Sequence, residues 1–319
     1  MKIKIGSTTL AKITSQKEMD EFVKTFNLSS KQLIVKPNWV QPRMGTYTDA
    51  KVLEMFLSAV KKPVIILESY TFWRNDRYAV GGGDYFSSKE ATLTTGKKYW
   101  EHYRKMDKWF LQATGIGEVL KKHKTEYLNI TNEVWLRKVV NPNIIKKITE
   151  SNFKPVHFQE IYSYIPQKLY ELSGSDFISF SKAKREIEYS YTLSTKNMFG
   201  LIPDPTRYPK FHGINDTLLS QSIADINKVY RSLFNCQFIA EGVFTACDTG
   251  TMEEIDLVKD WKVIWGGKNS LEVDLIGTKL LQTKSPAGKV DVLAVSKKIF
   301  GSFDRKLLSQ VPREWEIKY

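Results

Sequence analysis

The residues from Gln32 to Ser69 constrain this chain more than any other stretch. Gln32–Lys36 is an apolar run that reads as a buried strand, and Ala50–Val60 repeats apolar residues at helical spacing. Val64–Leu67, directly after Pro63, is a second apolar strand ending in Glu68 and Ser69. A strand, a helix and a strand joined by short links close as a parallel β-α-β unit. Thr48 or Asp49 stands where the helix needs a cap. Pro37 stops the first strand, which leaves Lys36 and Asn38 at its carboxyl edge, and Glu68 has the same place on the next strand. In open α/β sheets that edge is where ligands bind.

The rest of the chain repeats this alternation. Strands are expected at Met1–Ile5 and Thr8–Ile13, then a helix over Gln16–Phe26 capped by Ser15, with Met19, Phe22, Val23 and Phe26 on one side. A strand at Tyr127–Ile130, a β-rich run at Glu133–Val140 and a helix over Phe158–Leu172 ending at Gly174 follow. Asp176–Phe180 reads as a strand running into Ser181–Arg185, which puts Lys182 and Lys184 at another strand end. Beyond a strand at Tyr189–Leu193 come a helix over Leu218–Leu233, a strand at Gln237–Ala240, and Glu241 leading a polar loop that contains Asp248. A strand at Val263–Gly266 and a helix over Asn269–Leu281 complete the pattern. Asp274 lies among apolar residues of that helix, so it needs a backbone amide or a lysine as partner. The expected fold is α/β, a mainly parallel sheet with flanking helices, over 1–319 as one unit with a candidate subdomain boundary near 141–157.

Tyr191–Gly213 draws the eye for chemistry. Gly200 interrupts it and Pro203, Pro205 and Pro209 follow closely, so a fixed loop after a short strand is expected. Lys196, Asn197, Arg207 and His212 are crowded within it, a composition suited to an anion site. A neutral imidazole at His212 can serve as general acid/base or as a metal ligand. Glu241 and Asp248 can offer oxygen to a hard divalent cation such as magnesium. The segment from Arg74 to Gly96, with Gly81-Gly82-Gly83, lacks both a Walker ending and the spaced glycines of a dinucleotide loop, and reads as a connector.

The 48 Lys and Arg against 35 Asp and Glu leave a formal charge of +13, which attracts polyanions without naming one. Basic residues are densest from Lys97 to Lys124, interleaved with Tyr99, Trp100, Tyr103, Trp109 and Phe110. That interleaving suits a nucleic-acid platform, but an amphipathic helix with its aromatics in the core explains it with no ligand and is preferred. Only Cys236 and Cys247 are present, in no Cys-x-x-Cys pair, so an iron–sulfur cluster held by this chain alone is not expected. No run approaches the roughly 18 apolar residues of a membrane span. With a start that alternates like a strand, the expectation is a soluble cytoplasmic protein.

In order, Val35-Lys36-Pro37-Asn38-Trp39-Val40, Thr48-Asp49, Glu68, Lys182-Ala183-Lys184, the block Thr192 to Pro203, Arg207, His212-Gly213, Glu241-Gly242, Asp248 to Gly250 and Val273-Asp274 resemble domain-of-unknown-function family 362 of archaea and bacteria. The resemblance runs over roughly 32–281. It departs at Ser181–Glu186, where relatives usually show Pro-Lys-Leu-Lys-Thr-His, and at Glu241-Gly242, where Asp-Gly is usual. Many relatives also carry ferredoxin-type cysteine clusters. The Lys196 to His212 stretch is further similar in order to the nickel-pincer lactate racemases, which implies a tethering lysine at Lys196 and a nickel ligand at His212.

Together these readings place Lys36, Glu68, Lys184, Lys196, Arg207 and His212 around one pocket, with Lys36, Lys196 and His212 at its chemistry. Asn38, Lys182, Lys184, Asn197 and Arg207 would bind a small anionic substrate, supported by Glu68 and Asp274. The expected function is an enzyme moving a proton or hydride next to a carboxylate. The alternatives are a nucleic-acid-binding protein using the 97–124 face and a ligand-binding module without turnover.

Overall fold

The computed structural model describes residues 1–71, 73–74, 97–185, 193–204, 207–247, 257–282 and 292–318. Its strands are β1 (Lys2–Ile5), β2 (Thr8–Lys12), β3 (Leu33–Lys36), β4 (Val64–Glu68), β5 (Glu126–Asn129), β6 (Asp176–Lys182), β7 (Asn235–Cys247) and β8 (Leu257–Gly267). They form one sheet in the order β1-β2-β8-β7-β6-β3-β4-β5. From β5 through β4, β3 and β6 to β7 all neighbours are parallel. β8, β2 and β1 extend the β7 side in antiparallel pairs. The fold is therefore α/β on a mainly parallel sheet, as the strand-helix-strand pattern requires.

The parallel strands begin in the middle with β3, step outward to β4 and β5, then return to the other side of β3 for β6 and β7. That reversal makes a topological switch point between β3 and β6, the place in open α/β sheets where a crevice forms outside the carboxyl ends.

Side chains on the central strands are apolar on both faces because helices cover both. Leu33 and Val35 of β3 join the core containing Phe22 of the Gln16–Val23 helix and Phe56 of the Ala50–Val60 helix. Ile34 between them points the other way, to the core shared with Ile223, Ile226 and Val229 of the Leu219–Leu233 helix. This alternation follows from the two-residue repeat of a strand. Local caps hold the helices as expected. Ser15 and Glu18 form a capping box, and Asp49 Oδ1 accepts from the Val52 amide at 3.1 Å.

Several expectations are corrected. The run Glu133–Val140 is not a strand: Ile130–Trp135 is a helix capped by Asn129, and only Val139 bridges, to Pro166. Trp135 stacks on Trp100 at 5.3 Å, and that aromatic packing outweighs the β propensity. The helix over Phe158–Leu172 is two short pieces, a 3-10 turn at Gln159–Tyr164 and an α turn at Gln167–Tyr170, parted at Pro166. A further helix lies at Pro142–Glu150, with Asn141 as cap and proline at its first position.

β7 and β8 both outrun the expected strands. The polar stretch after Ala240 stays extended because β8 supplies a ladder as far as Cys247 opposite Leu257, with an irregularity at Gly242/Phe244. A side chain at Gly242 would meet the Trp261 ring at 2.5 Å. Of the expected strand Tyr189–Leu193, all but Leu193 lies outside the described residues, as do the triple glycine and Asp248. Among the described residues no helix is long and apolar enough to cross a membrane.

Candidate functional site

Four adjacent parallel strands carry an ionic side chain at their carboxyl side: Lys36 on β3, Glu68 on β4, Lys182 on β6 and Glu241 on β7. All are almost fully buried, at 2% exposed or less. Charges removed from water survive only in pairs or in hydrogen bonds, and here they pair across strands.

Lys36 Nζ lies 2.8 Å from Glu68 Oε1. It also donates to the Pro37 carbonyl at 2.6 Å and to Asn197 Oδ1 at 3.5 Å, so its three donors have three acceptors. Burial pulls the ammonium down to about 8, opposed by Glu68 and reinforced by the positive charges of Arg74 and Arg207. Glu68 accepts from the Trp39 and Ser69 amides. Its Oε2 lies 3.3 Å from Arg74. Arg74 further donates to Asp107, to the Trp39 carbonyl and to the Ser69 carbonyl. Asp107 comes from the Lys97–Ala113 helix, so one chain of alternating charges ties β3 and β4 to that helix. Neither Arg74 nor Asp107 carries a sequence signal for this role.

The second pair is Lys182 with Glu241, 2.6 Å apart and with Asp49 3.7 Å from the same ammonium. Lys182 also donates to the Phe244 carbonyl at 2.6 Å. Burial raises the Glu241 carboxyl from its usual 4.5 to about 8, with Lys182 opposing and Asp49 adding to the rise. Glu241 thus sits inside β7 with an ammonium partner, whereas the sequence placed it at the head of a loop as a metal ligand beside Asp248. Among the described residues no cluster of three His, Cys, Asp or Glu is arranged to hold a metal ion.

Where a fixed loop was expected, the described residues 193–204 and 207–216 fold over this edge as short helical turns at Ser194–Asn197, Met198–Leu201, Arg207–Phe211 and Ile214–Asp216. Asp274 starts the first of them. Its carboxylate accepts from the Ser194 amide and hydroxyl at 2.9 and 2.6 Å and from the Thr195 amide at 3.1 Å, which makes it structural support through backbone amides. Burial raises the Asp274 carboxyl and these bonds oppose the rise. Asn197 then pins the turn to the sheet, donating to the Lys36 carbonyl and to Ser179 Oγ, both at 3.0 Å. Gly200 passes so close that an added Cβ would stand 2.9 Å from Lys36 Nζ and 3.3 Å from Glu68 Oε1.

Arg207 reaches back to the carboxyl edge, donating to the Tyr70 carbonyl at 2.8 Å and to the Ile202 carbonyl at 3.0 Å. The His212 ring packs edge-on against Phe199 at 5.0 Å. Its Nδ1 lies 2.6 Å from Asp216 Oδ1. Burial lowers the His212 imidazole, Asp216 opposes this, and the charges of Lys196 and Arg207 lower it further. The positive charges of Lys196 and Arg207 thus both act on His212, and that of Arg207 also acts on Lys36. Lys184 is buried just past β6, and the Asn38 amide donates to Thr48 Oγ1 at 3.1 Å. The His212–Asp216 pair, four residues apart, is not among the expected site residues, although its spacing is legible in the sequence.

Two surface concavities, of about 220 and 560 Å³, are lined by residues such as Lys4, Gln237 and Lys268 or Arg137, Lys138 and Glu171, and include none of the strand-end charges. On the 97–124 face, Tyr103 and Phe110 are buried, which is the amphipathic-helix arrangement.

A doubly wound α/β sheet with its charges gathered at the switch point defines the class of protein. The chain belongs to the family described as Domain of unknown function (DUF362), whose model matches residues 33–279. No curated protein and no solved structure matches the chain.

Proposed function

We propose that this protein is an enzyme that binds a small carboxylate-bearing metabolite beside the carboxyl ends of β3 and β4 and transfers a proton at the carbon next to that carboxylate. The observation that carries this reading is His212, whose burial favours a neutral imidazole although Asp216 lies 2.6 Å away, in the same neighbourhood as the cations Lys196 and Arg207. A neutral imidazole accepts a proton, and nearby cations bind a carboxylate and stabilise the charge that develops as a C–H bond ionises. Lys36, held by three oxygens, contributes positive field in this reading. Asn197 keeps Lys36 and the Lys196 turn in register.

The test is thermal-shift titration with glycolate, lactate, malate and pyruvate, using sulfate and phosphate as anions without a carboxylate. Any carboxylate that binds is then followed by proton NMR in D2O for loss of its C–H signal. Binding and exchange that both disappear in Lys196→Ala and His212→Ala support the reading. Folded variants that keep both would remove these residues from the site, and binding without exchange would make the protein a ligand-binding module. Native mass spectrometry with elemental analysis reports on the pincer-type alternative through nickel and a mass addition on Lys196. Oligonucleotide binding that falls steeply with salt and survives Lys196→Ala would favour the basic 97–124 face instead.

A further inference from the structure

We infer that Asp216 is the positioning residue of His212, holding the imidazole as the Nδ1–H tautomer so that Nε2 is the atom that takes and returns the substrate proton; this rests on the proton-transfer reading above. The argument begins in the backbone. Gly213 has φ +73° and Asp216, a non-glycine residue, has φ +62°. Left-handed backbone at a residue with a side chain is uncommon and is retained where surrounding contacts enforce it. Here the two left-handed residues bracket the Ile214–Asp216 turn, and the His212 carbonyl accepts from the Leu218 amide at 2.9 Å, closing the chain on itself. The carboxylate of Asp216 is thereby returned to the ring of the residue four positions earlier.

A carboxylate accepts hydrogen bonds, so the nitrogen facing it carries the proton and the lone pair is left on Nε2. Phe199 against the ring edge limits its rotation. Among the described residues, the charged groups that act on the imidazole are Asp216 from its own turn, Lys196 from the Ser194–Asn197 turn and Arg207 from the turn between them. In the reaction the substrate C–H bond breaks, its proton forms the Nε2–H bond, and the electron pair moves into the conjugated carboxylate as an enolate. Lys196 and Arg207 stabilise the enolate and Asp216 stabilises the imidazolium. Return of the proton to the carbon restores both partners, so no other reactant is consumed.

The experiment is two-bond 1H–15N NMR of histidine-labelled protein. The chain has four histidines, and the His212 signals are assigned by their loss in His212→Gln. Wild type is expected to show the Nδ1–H tautomer. Asp216→Asn is expected to mix the tautomers and lower the His212 titration midpoint, with the backbone spectrum unchanged, and Asp216→Glu to restore both. Where lactate or malate exchanges its C–H in wild type, Asp216→Asn is expected to slow it by about 10²-fold or more. A wild-type Nε2–H tautomer, or an Asp216→Asn spectrum identical to wild type, overturns the inference. The expected tautomer with no exchange of any carboxylate tried upholds the role of Asp216 in fixing the ring and overturns the proton-transfer reading instead.

Discussion

Two charged regions meet at the carboxyl edge of the sheet, and they are built on different principles. Around Lys36, Glu68, Arg74 and Asp107 each charge has an opposite charge within reach and solvent is almost excluded. Around His212 and Asp216 the side chains are 18% and 20% exposed, the backbone is left-handed at Asp216, and the neighbouring charges Lys196 and Arg207 are both positive. The first arrangement suits a scaffold, because saturated charges resist any change of state. The second is the region we propose for chemistry, because the positive charges of Lys196 and Arg207 favour an anion.

Breaking the first region should have the largest effect on stability. Glu68→Ala leaves two buried cations, Lys36 and Arg74, without their shared carboxylate and is expected to cost about 3–5 kcal/mol, read from urea unfolding. A loss near zero would mean the pair is not buried as described. Asp274→Ala strips the acceptor from two buried amides and should cost about 1–3 kcal/mol by the same measurement. Gly200→Val is expected to cost about 1–3 kcal/mol as well, since the amine it would displace is held by three oxygens and has nowhere to move. If Gly200→Val also in Lys36→Met protein costs as much as in wild type, the clash lies elsewhere.

Glu241 sharpens the comparison through pH. Its carboxyl is raised in the folded state from 4.5 to about 8 by burial, with Lys182 opposing, so between these values the Lys182–Glu241 pair binds protons more readily in the folded protein than in the unfolded chain. The stability linked to this shift is fully present below pH 4.5 and is lost as pH rises through about 8. Glu241→Gln should flatten that part of the stability profile, and an unchanged slope between pH 5 and 8 would argue against a buried carboxyl here. The smallest stability effect is expected at the second region, where both side chains keep contact with solvent and Asp216→Asn should cost less than about 1 kcal/mol. A cost as large as that of Glu68→Ala would erase the distinction between scaffold and chemistry.

The parts of this arrangement legible beforehand are those carried by short-range pattern. The placing of Lys36 and Glu68 at strand ends, a cap at Thr48 or Asp49 and the need of Asp274 for an amide or lysine partner follow from periodicity and from the position of prolines. Arg74 and Asp107 gave no such signal, because they belong to different elements and only their meeting explains them. The described residues of the loop expected over Tyr191–Gly213 are wound into turns because Asp274 accepts from the Ser194 and Thr195 amides and Asn197 donates to β3 and β6.

The sequence alone determined which segments alternate as strands and helices, since side-chain periods of two and 3.6 residues are set by backbone geometry. It also determined that ionic residues would stand where apolar strands end. Only the tertiary structure decided the strand order that makes a switch point beside β3, the extension of β7 past Glu241 and the pairing of each buried charge. Those depend on which surfaces and charges, far apart in the chain, lose their water together, and a charge so buried persists only beside the partner that the fold brings to it.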